Sequence, residues 1–286
     1  EVSHQFIDTL IAVQSLVNEP IQVVAWNLLS QTRIDQGWNP QQYASLNIEI
    51  LDKKKWWGQG KNIIRKNADA IHVFWGFWSV REYFPLIVFA LRHGVKTAIA
   101  HEAYSTSPEG YFKTEPYLFS WIKVKLRPIL YRLLAILIKL ISNVKQPCLL
   151  PISSIAQEQL LKAGFDNKIM FPFGYFISRK GDVLIQQRNE ENCLKLIFIG
   201  ALVKRKGLDA AVRAVESLYQ KGYKIFLDVY GAGNPDLYFS PSSLCVRYKG
   251  VFTAGDAQKT ITHYDLLILP SHHDGWGLVI NEALLQ

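Results

Sequence analysis

Apolar residues recur along the chain with two alternating periods. Over residues 6–17 they fall at helical spacing, and over 21–26 they form a short β-branched run typical of a buried strand. The alternation continues with a strand over 47–51, a short helix over 61–67 and a buried strand over 70–75. A helix over 83–92 follows, with Gly94 placed to close it in the left-handed conformation. Next come a strand over 96–101, a long helix over 117–141 and a strand over 149–152. Ser154 and Gln157 have the spacing of a capping box, opening a helix that ends at Gly164, and residues 168–172 read as the next strand.

Residues 178–192 are polar and read as a linker or surface excursion. The pattern then restarts. A buried strand over 194–200 precedes a helix over 207–221, in which Leu208, Val212, Val215 and Tyr219 form one apolar face. A strand over 224–230 runs into Gly231-Ala232-Gly233. Strands over 246–250 and 264–270 flank a helix over 254–263, and a loop leads to Gly277 and a final helix from about Leu278. This β-α-β succession predicts an α/β fold of two Rossmann-like domains with mostly parallel sheets, residues 1–176 and 177–286. Ligands of such folds bind at the carboxyl ends of the strands and between domains.

With 49% apolar and 20% charged residues, the 286-residue chain has the balance of a globular protein with a full core. Its three cysteines are scattered, which fits buried thiols better than a disulfide framework or a zinc site. A net charge of +8 favours acidic partners: nucleic acid, anionic membrane or phosphorylated small molecules. No nucleic-acid recognition motif accompanies the charge. The helix over 117–141 is broken up by Lys123, Lys125, Arg127, Arg132 and Lys139, so its uncharged runs fall short of the ~20 residues a span requires.

Two loops carry chemistry. Gly200 ends a strand, and Lys204-Arg205-Lys206-Gly207 follows just before a helix: close backbone approach, outward N–H groups and ammonium charge suit a phosphate. A plain βα loop with solvated lysines has the same spacing. In the second loop, Asp274 precedes Gly275-Trp276-Gly277 and a helix bearing Glu282. Eight helical positions would separate the two carboxylates by about 12 Å, enough to hold hydroxyls at opposite ends of one extended ligand. Adjacent His272 and His273 diverge and lack a third ligand at metal-site spacing. The cluster of His72, Phe74, Trp75, Phe77 and Trp78 at a strand end reads as core and lip packing, with stacking on an acceptor sugar as the alternative.

The order Gly200, Lys206-Gly207, Gly231-Ala232-Gly233, Tyr264-Asp265, Pro270-Ser271, Asp274-Gly275-Trp276-Gly277 and Glu282-Ala283 resembles the nucleotide-sugar-binding domain of the retaining GT-B glycosyltransferases of group 1, or family 4. Their signature is an acid, seven residues and a glutamate. The resemblance covers 194–286 well and the first half loosely, through Ser153-Ser154, Leu160, Gly164, Lys168-Ile169 and Pro172-Phe173-Gly174. It implies metal-free, cofactor-free transfer of a sugar from a nucleotide diphosphate sugar to a glycan or lipid-linked hydroxyl acceptor. Glu282 would hold the ribose and Asp274 the transferred sugar, assisted by Gly275, Trp276 and Gly277. Lys206 would face the diphosphate near Gly200, and His101 would be a cleft histidine, the alternative for a lone strand-end histidine being a structural role. Two departures stand out. Ala201 replaces an arginine common in the family, for which Arg205 would substitute, and Asp274 is shorter than the commoner glutamate. The alternatives are a nucleotide-sugar epimerase of the same architecture and a non-catalytic sugar-nucleotide-binding remnant.

Two further expectations follow. The protein would be cytoplasmic, with peripheral contact to an anionic inner membrane face through the basic helix. Both domains would be truncated, lacking the first strand at one end and closing strands and helices at the other, so that the chain alone would be marginally stable and inactive.

Overall fold

The computed structural model describes residues 4–29, 31, 34, 46–77, 82–111, 117–142, 146–179, 193–252 and 256–286. Trp78, most of the polar linker and the first residues of the helix expected from 254 lie outside this set.

Helix α1 (His4–Leu16) precedes β1 (Gln22–Ala25), which pairs in parallel with β2 (Asn47–Ile50). Helix α2 (Trp56–Lys66) starts at Trp56 rather than at 61. Gly58 and Gly60 lower its helix propensity and hide its first turn in the sequence. Aromatic contacts anchor that turn, with Trp56 edge-on to Trp26 at 6.1 Å and Trp57 edge-on to Phe89 at 6.1 Å. Gly60 lets α2 approach Leu86, where a Cβ would lie 2.6 Å from the Leu86 side chain.

Strand β3 (His72–Trp75), helix α3 (Tyr83–Arg92) and strand β4 (Thr97–His101) follow. Then come α4 (Tyr117–Ile141), β5 (Cys148–Pro151) and α5 (Ser154–Ala163). The order β3-β4-β5 is parallel, and β4 is buried along its whole length. Among the described residues the first half holds two parallel ladders, β1-β2 and β3-β4-β5, rather than one sheet. Ile87, Ile99, Leu134, Ile138, Leu149 and Leu160 fill the core around β4.

Two expectations in this half shift. Ser153 caps α5, one residue before the expected Ser154. Its extended backbone lets Oγ accept the Ala156 N–H at 3.1 Å, and Gln157 donates to Asn167 instead of closing a capping box. Gly164 ends the helix at φ 98°, as its position predicts. The strand expected over 168–172 starts as a 3-10 turn (Asn167–Ile169), because Asp166 caps the Lys168 N–H. Only beyond it does the chain run along β5, with Phe171 and Phe173 donating to the carbonyls of Leu149 and Pro151.

The second half holds β6 (Leu194–Ile199), α6 (Leu208–Gln220), β7 (Ile225–Tyr230), β8 (Val246–Gly250), α7 (Asp256–Ile261), β9 (Leu266–Leu267) and α8 (Leu278–Leu284). All pairings in the order β8-β7-β6-β9 are parallel. Strand β9 is shorter than the expected 264–270, with Leu266 and Leu267 paired to β6 at one edge of the sheet. Phe198, Leu208, Val212, Leu227 and Val229 form this core. The buried Asp228 is fully paired, with Arg247 Nε at 2.9 Å on one oxygen and the Tyr264 hydroxyl at 2.8 Å on the other. Burial, then the hydrogen bonds with Tyr230 and Asp228, push the Tyr264 phenol well above its ordinary pKa.

Between the halves, the chain after 170 runs past α1. Phe176 N–H donates to Thr9 Oγ1 at 3.0 Å, and the Ser178 N–H and hydroxyl both donate to Asp8. Gln258 of α7 donates to the Ser178 carbonyl at 3.1 Å.

Ser153→Ala should lower the unfolding free energy by about 1 kcal/mol, with Ser154→Ala close to neutral. Urea denaturation of the two variants checks which serine is the cap.

Candidate functional site

The carboxyl ends of β6, β7 and β9 come together through glycines. Gly231 follows β7 at φ 149°, and a Cβ there would collide with the Gly200 carbonyl at the end of β6. Gly207 caps α6 at φ 67°, and a Cβ there would collide with the Pro270 carbonyl. With no side chain at either position, three βα loops pack backbone against backbone. Hydrogen bonds then join the turn at Lys204–Lys206 to the loop over 271–277. His272 N–H donates to the Arg205 carbonyl at 2.9 Å, and Arg205 Nη1 donates to the His273 carbonyl at 3.0 Å. Arg205 is thus committed to the loop backbone.

The seam brings Lys206 and Asp274 into an ion pair, Nζ to Oδ2, with the side chains only 13% and 24% exposed. The sequence reading gives these groups separate ligands, whereas the structure makes them partners. The Lys206 stem passes Gly200. Gly275 and Trp276 lead to Gly277, which caps α8 at φ 76°. Two buried polar atoms of this loop, Ser271 Oγ and Trp276 Nε1, have no hydrogen-bond partner among the described residues. In a packed interior such atoms are nearly always satisfied.

The first half meets the same loop. Glu102 follows β4 and accepts the Tyr175 hydroxyl. Its carboxylate occupies the space a Cβ on Gly275 would need. Tyr175 stands edge-on to Trp276 at 6.1 Å, and Gly174 lies beneath the indole, where a Cβ would sit 3.0 Å from Cη2. Gly110 packs on His273, whose ring hydrogen-bonds the Ala103 backbone. Burial and the neighbouring Arg205 lower the His273 pKa, so the ring is neutral near pH 7. A cleft of about 460 Å³ lies between the halves, within the size range of small-molecule sites. Tyr104, Ser153 and Gln159 line one side, and Asp274, Trp276 and Asn281 the other.

Two expected residues lie elsewhere. His101 is 5% exposed, packed on Phe77 and Tyr131, and does not line the cleft. Glu282 sits on α8 outside the cleft lining, next to Asn281, which does line it. Glu102, Tyr175, Ser271 and His273 are the residues sequence reasoning missed. Glu102 and Tyr175 carried one usable signal: both follow chain segments at the carboxyl edge of the first sheet, where ligands and domain contacts of such folds gather. Among the described residues, no three His, Cys, Asp or Glu side chains converge in the manner of a metal site.

Residues 183–285 match the family model described as glycosyl transferases group 1. Comparison with curated protein sequences finds no match. Among solved structures, Anabaena HepE in complex with UDP-glucose aligns over 100% of this chain and 75% of its own, at 13% identity and TM-score 0.62. The lipopolysaccharide outer core galactosyltransferase WaaB in its apo form aligns over 93% and 78%, at 12% identity and TM-score 0.55. A Listeria monocytogenes protein assigned as a UDP-N-acetylglucosamine 2-epimerase aligns over 92% and 69%, at 13% identity and TM-score 0.50. Across such matches the chain spans from 42% to 78% of the other protein's length. The likeness is one of fold: an α/β, parallel-sheet architecture shared with GT-B glycosyltransferases.

A half-buried ion pair should couple measurably. In urea unfolding of Lys206→Ala, Asp274→Ala and the double variant, the cycle should return about 1 kcal/mol or more of interaction, decreasing with salt. A second expectation concerns His101, whose pKa falls from 6.5 to about 4, first through burial and then through Arg127. The unfolded chain binds this proton near pH 6.5 and the folded one does not, so stability is full above pH 6.5 and declines as the pH falls toward about 4. His101→Phe should flatten that part of the stability profile.

Proposed function

We propose that the protein transfers a sugar from a nucleotide diphosphate sugar to a hydroxyl acceptor, with retention and without a metal, in polysaccharide or lipid-linked glycan synthesis. The observation that carries this reading is the meeting of Lys206 and Asp274 at the carboxyl edge of the second sheet, inside the segment that matches the group 1 transferases. That match favours transfer over epimerisation. HepE, similar in fold, holds UDP-glucose.

In this reading, Lys206 offers three N–H donors; one serves Asp274, and the others serve the diphosphate oxygens as their charge grows. Asp274 accepts hydroxyls of the transferred sugar while Lys206 holds it in place. The orphaned N–H of Trp276, a residue that lines the cleft, takes an acceptor atom of the donor substrate. Glu282, next to the cleft-lining Asn281, binds the ribose. The acceptor enters from the side of Tyr104 and Gln159. Retention rests on the acid-x7-glutamate pattern from Asp274 to Glu282.

Isothermal titration and transfer assays with a panel of nucleotide sugars test the assignment. Glu282→Ala should lose most nucleotide affinity. Asp274→Asn should keep nucleoside diphosphate binding yet slow transfer about tenfold or more, the value of a buried hydrogen bond to a charged group. Lys206→Ala should lower kcat more than it raises KM for the donor, and activity should survive EDTA. Unchanged turnover in all three variants would overturn the site, and a strict need for added Mg or Mn would overturn the metal-free chemistry.

A further inference from the structure

Helix α4 has two apolar faces. Tyr131, Leu134, Ala135 and Ile138 pack into the first core. Leu118, Ile122, Leu126, Ile129, Leu133, Ile136 and Leu140 do the opposite: they are 41–76% exposed. At 100° per residue these seven fall within an arc of about 80°, forming a strip about 33 Å long. Single exposed leucines are ordinary, but a continuous apolar strip of this length marks an interaction surface.

Charge identifies the occupant. Residues 117–141 contain five basic side chains and no acidic one. Lys125, Arg132 and Lys139 recur every seven residues, which aligns them along one edge of the strip. All three are exposed, and Lys139 also donates to the Gly164 carbonyl at 2.7 Å. Lys123 and Arg127 lie toward the protein, over the Tyr111 ring at 6.0 and 5.0 Å. In an antiparallel two-fold pairing, a second copy of this face would oppose cation to cation. An anionic bilayer accepts both features, taking the apolar side chains below the headgroups and the cations among them. No helix among the described residues is long and apolar enough to cross a membrane, so α4 lies in the interface plane. We infer that α4 is an in-plane anchor that docks the protein on an anionic lipid surface. The turn bearing Tyr111 packs against the Lys204–Lys206 turn, which connects the anchor to the cleft.

Vesicle co-sedimentation of the 286-residue chain tests this. The chain should bind vesicles of phosphatidylcholine with about one quarter phosphatidylglycerol, and release in about 1 M salt. The triple variant Lys125→Gln, Arg132→Gln, Lys139→Gln should partition about a hundredfold less, since each basic side chain at such a surface contributes about fivefold. The triple variant Leu126→Ser, Ile129→Ser, Leu133→Ser should partition at least about tenfold less. All six positions are exposed, so the circular dichroism spectrum should hold, and the unfolding midpoint should shift by no more than loss of the Lys139–Gly164 hydrogen bond allows. The anchor is overturned by absence of binding, by equal binding to pure phosphatidylcholine, or by either triple variant binding like the parent. It is equally overturned if sedimentation velocity finds a dimer that the serine variant dissociates while vesicles go unbound.

Discussion

Everything at the second sheet's carboxyl edge depends on backbone touching backbone. Gly231 against the Gly200 carbonyl and Gly207 against the Pro270 carbonyl leave no room for a methyl group. A Cβ would collide with the Gly200 oxygen at Gly231 and with the Pro270 oxygen at Gly207, so the backbone would have to shift. The bonds between Arg205 and the His272–His273 backbone, and the meeting of Lys206 and Asp274, lie beside the Gly207 contact. The chemistry of charged residues here is thus set by residues with no side chain at all.

The loop over 271–277 belongs to both halves. Its backbone is held from the second sheet, yet Gly275 fits against Glu102, Trp276 against Gly174 and Tyr175, and His273 against Gly110 and Ala103. The shape of the cleft is therefore a joint property. Substitutions in the first half, far in sequence from Asp274, reshape the space beside it.

The periodicity of the chain was enough to locate most elements, because helices and buried strands here carry strong apolar patterns. It failed where neighbours overrule local preference. The first turn of α2 is stabilised by Trp26 and Phe89 despite two glycines, and only Leu266 and Leu267 of the expected 264–270 strand pair with β6. The Gly-Trp-Gly loop and the basic turn were legible as short motifs. The Lys206–Asp274 pair spans 68 positions and the Tyr175–Glu102 bond 73, and no local spacing announces either. The cleft role of His101 came from the resemblance, since a lone strand-end histidine is as readily structural. The burial of its ring by Phe77 and Tyr131 is a tertiary fact.

Ser178 is gripped from two sides. Its N–H and hydroxyl belong to Asp8 of α1, its carbonyl to Gln258 of α7. One residue thus acts as a rivet through two plates. Each such bond contributes about 1 kcal/mol, so a shift of this one residue strains its contacts with α1 and with α7 together.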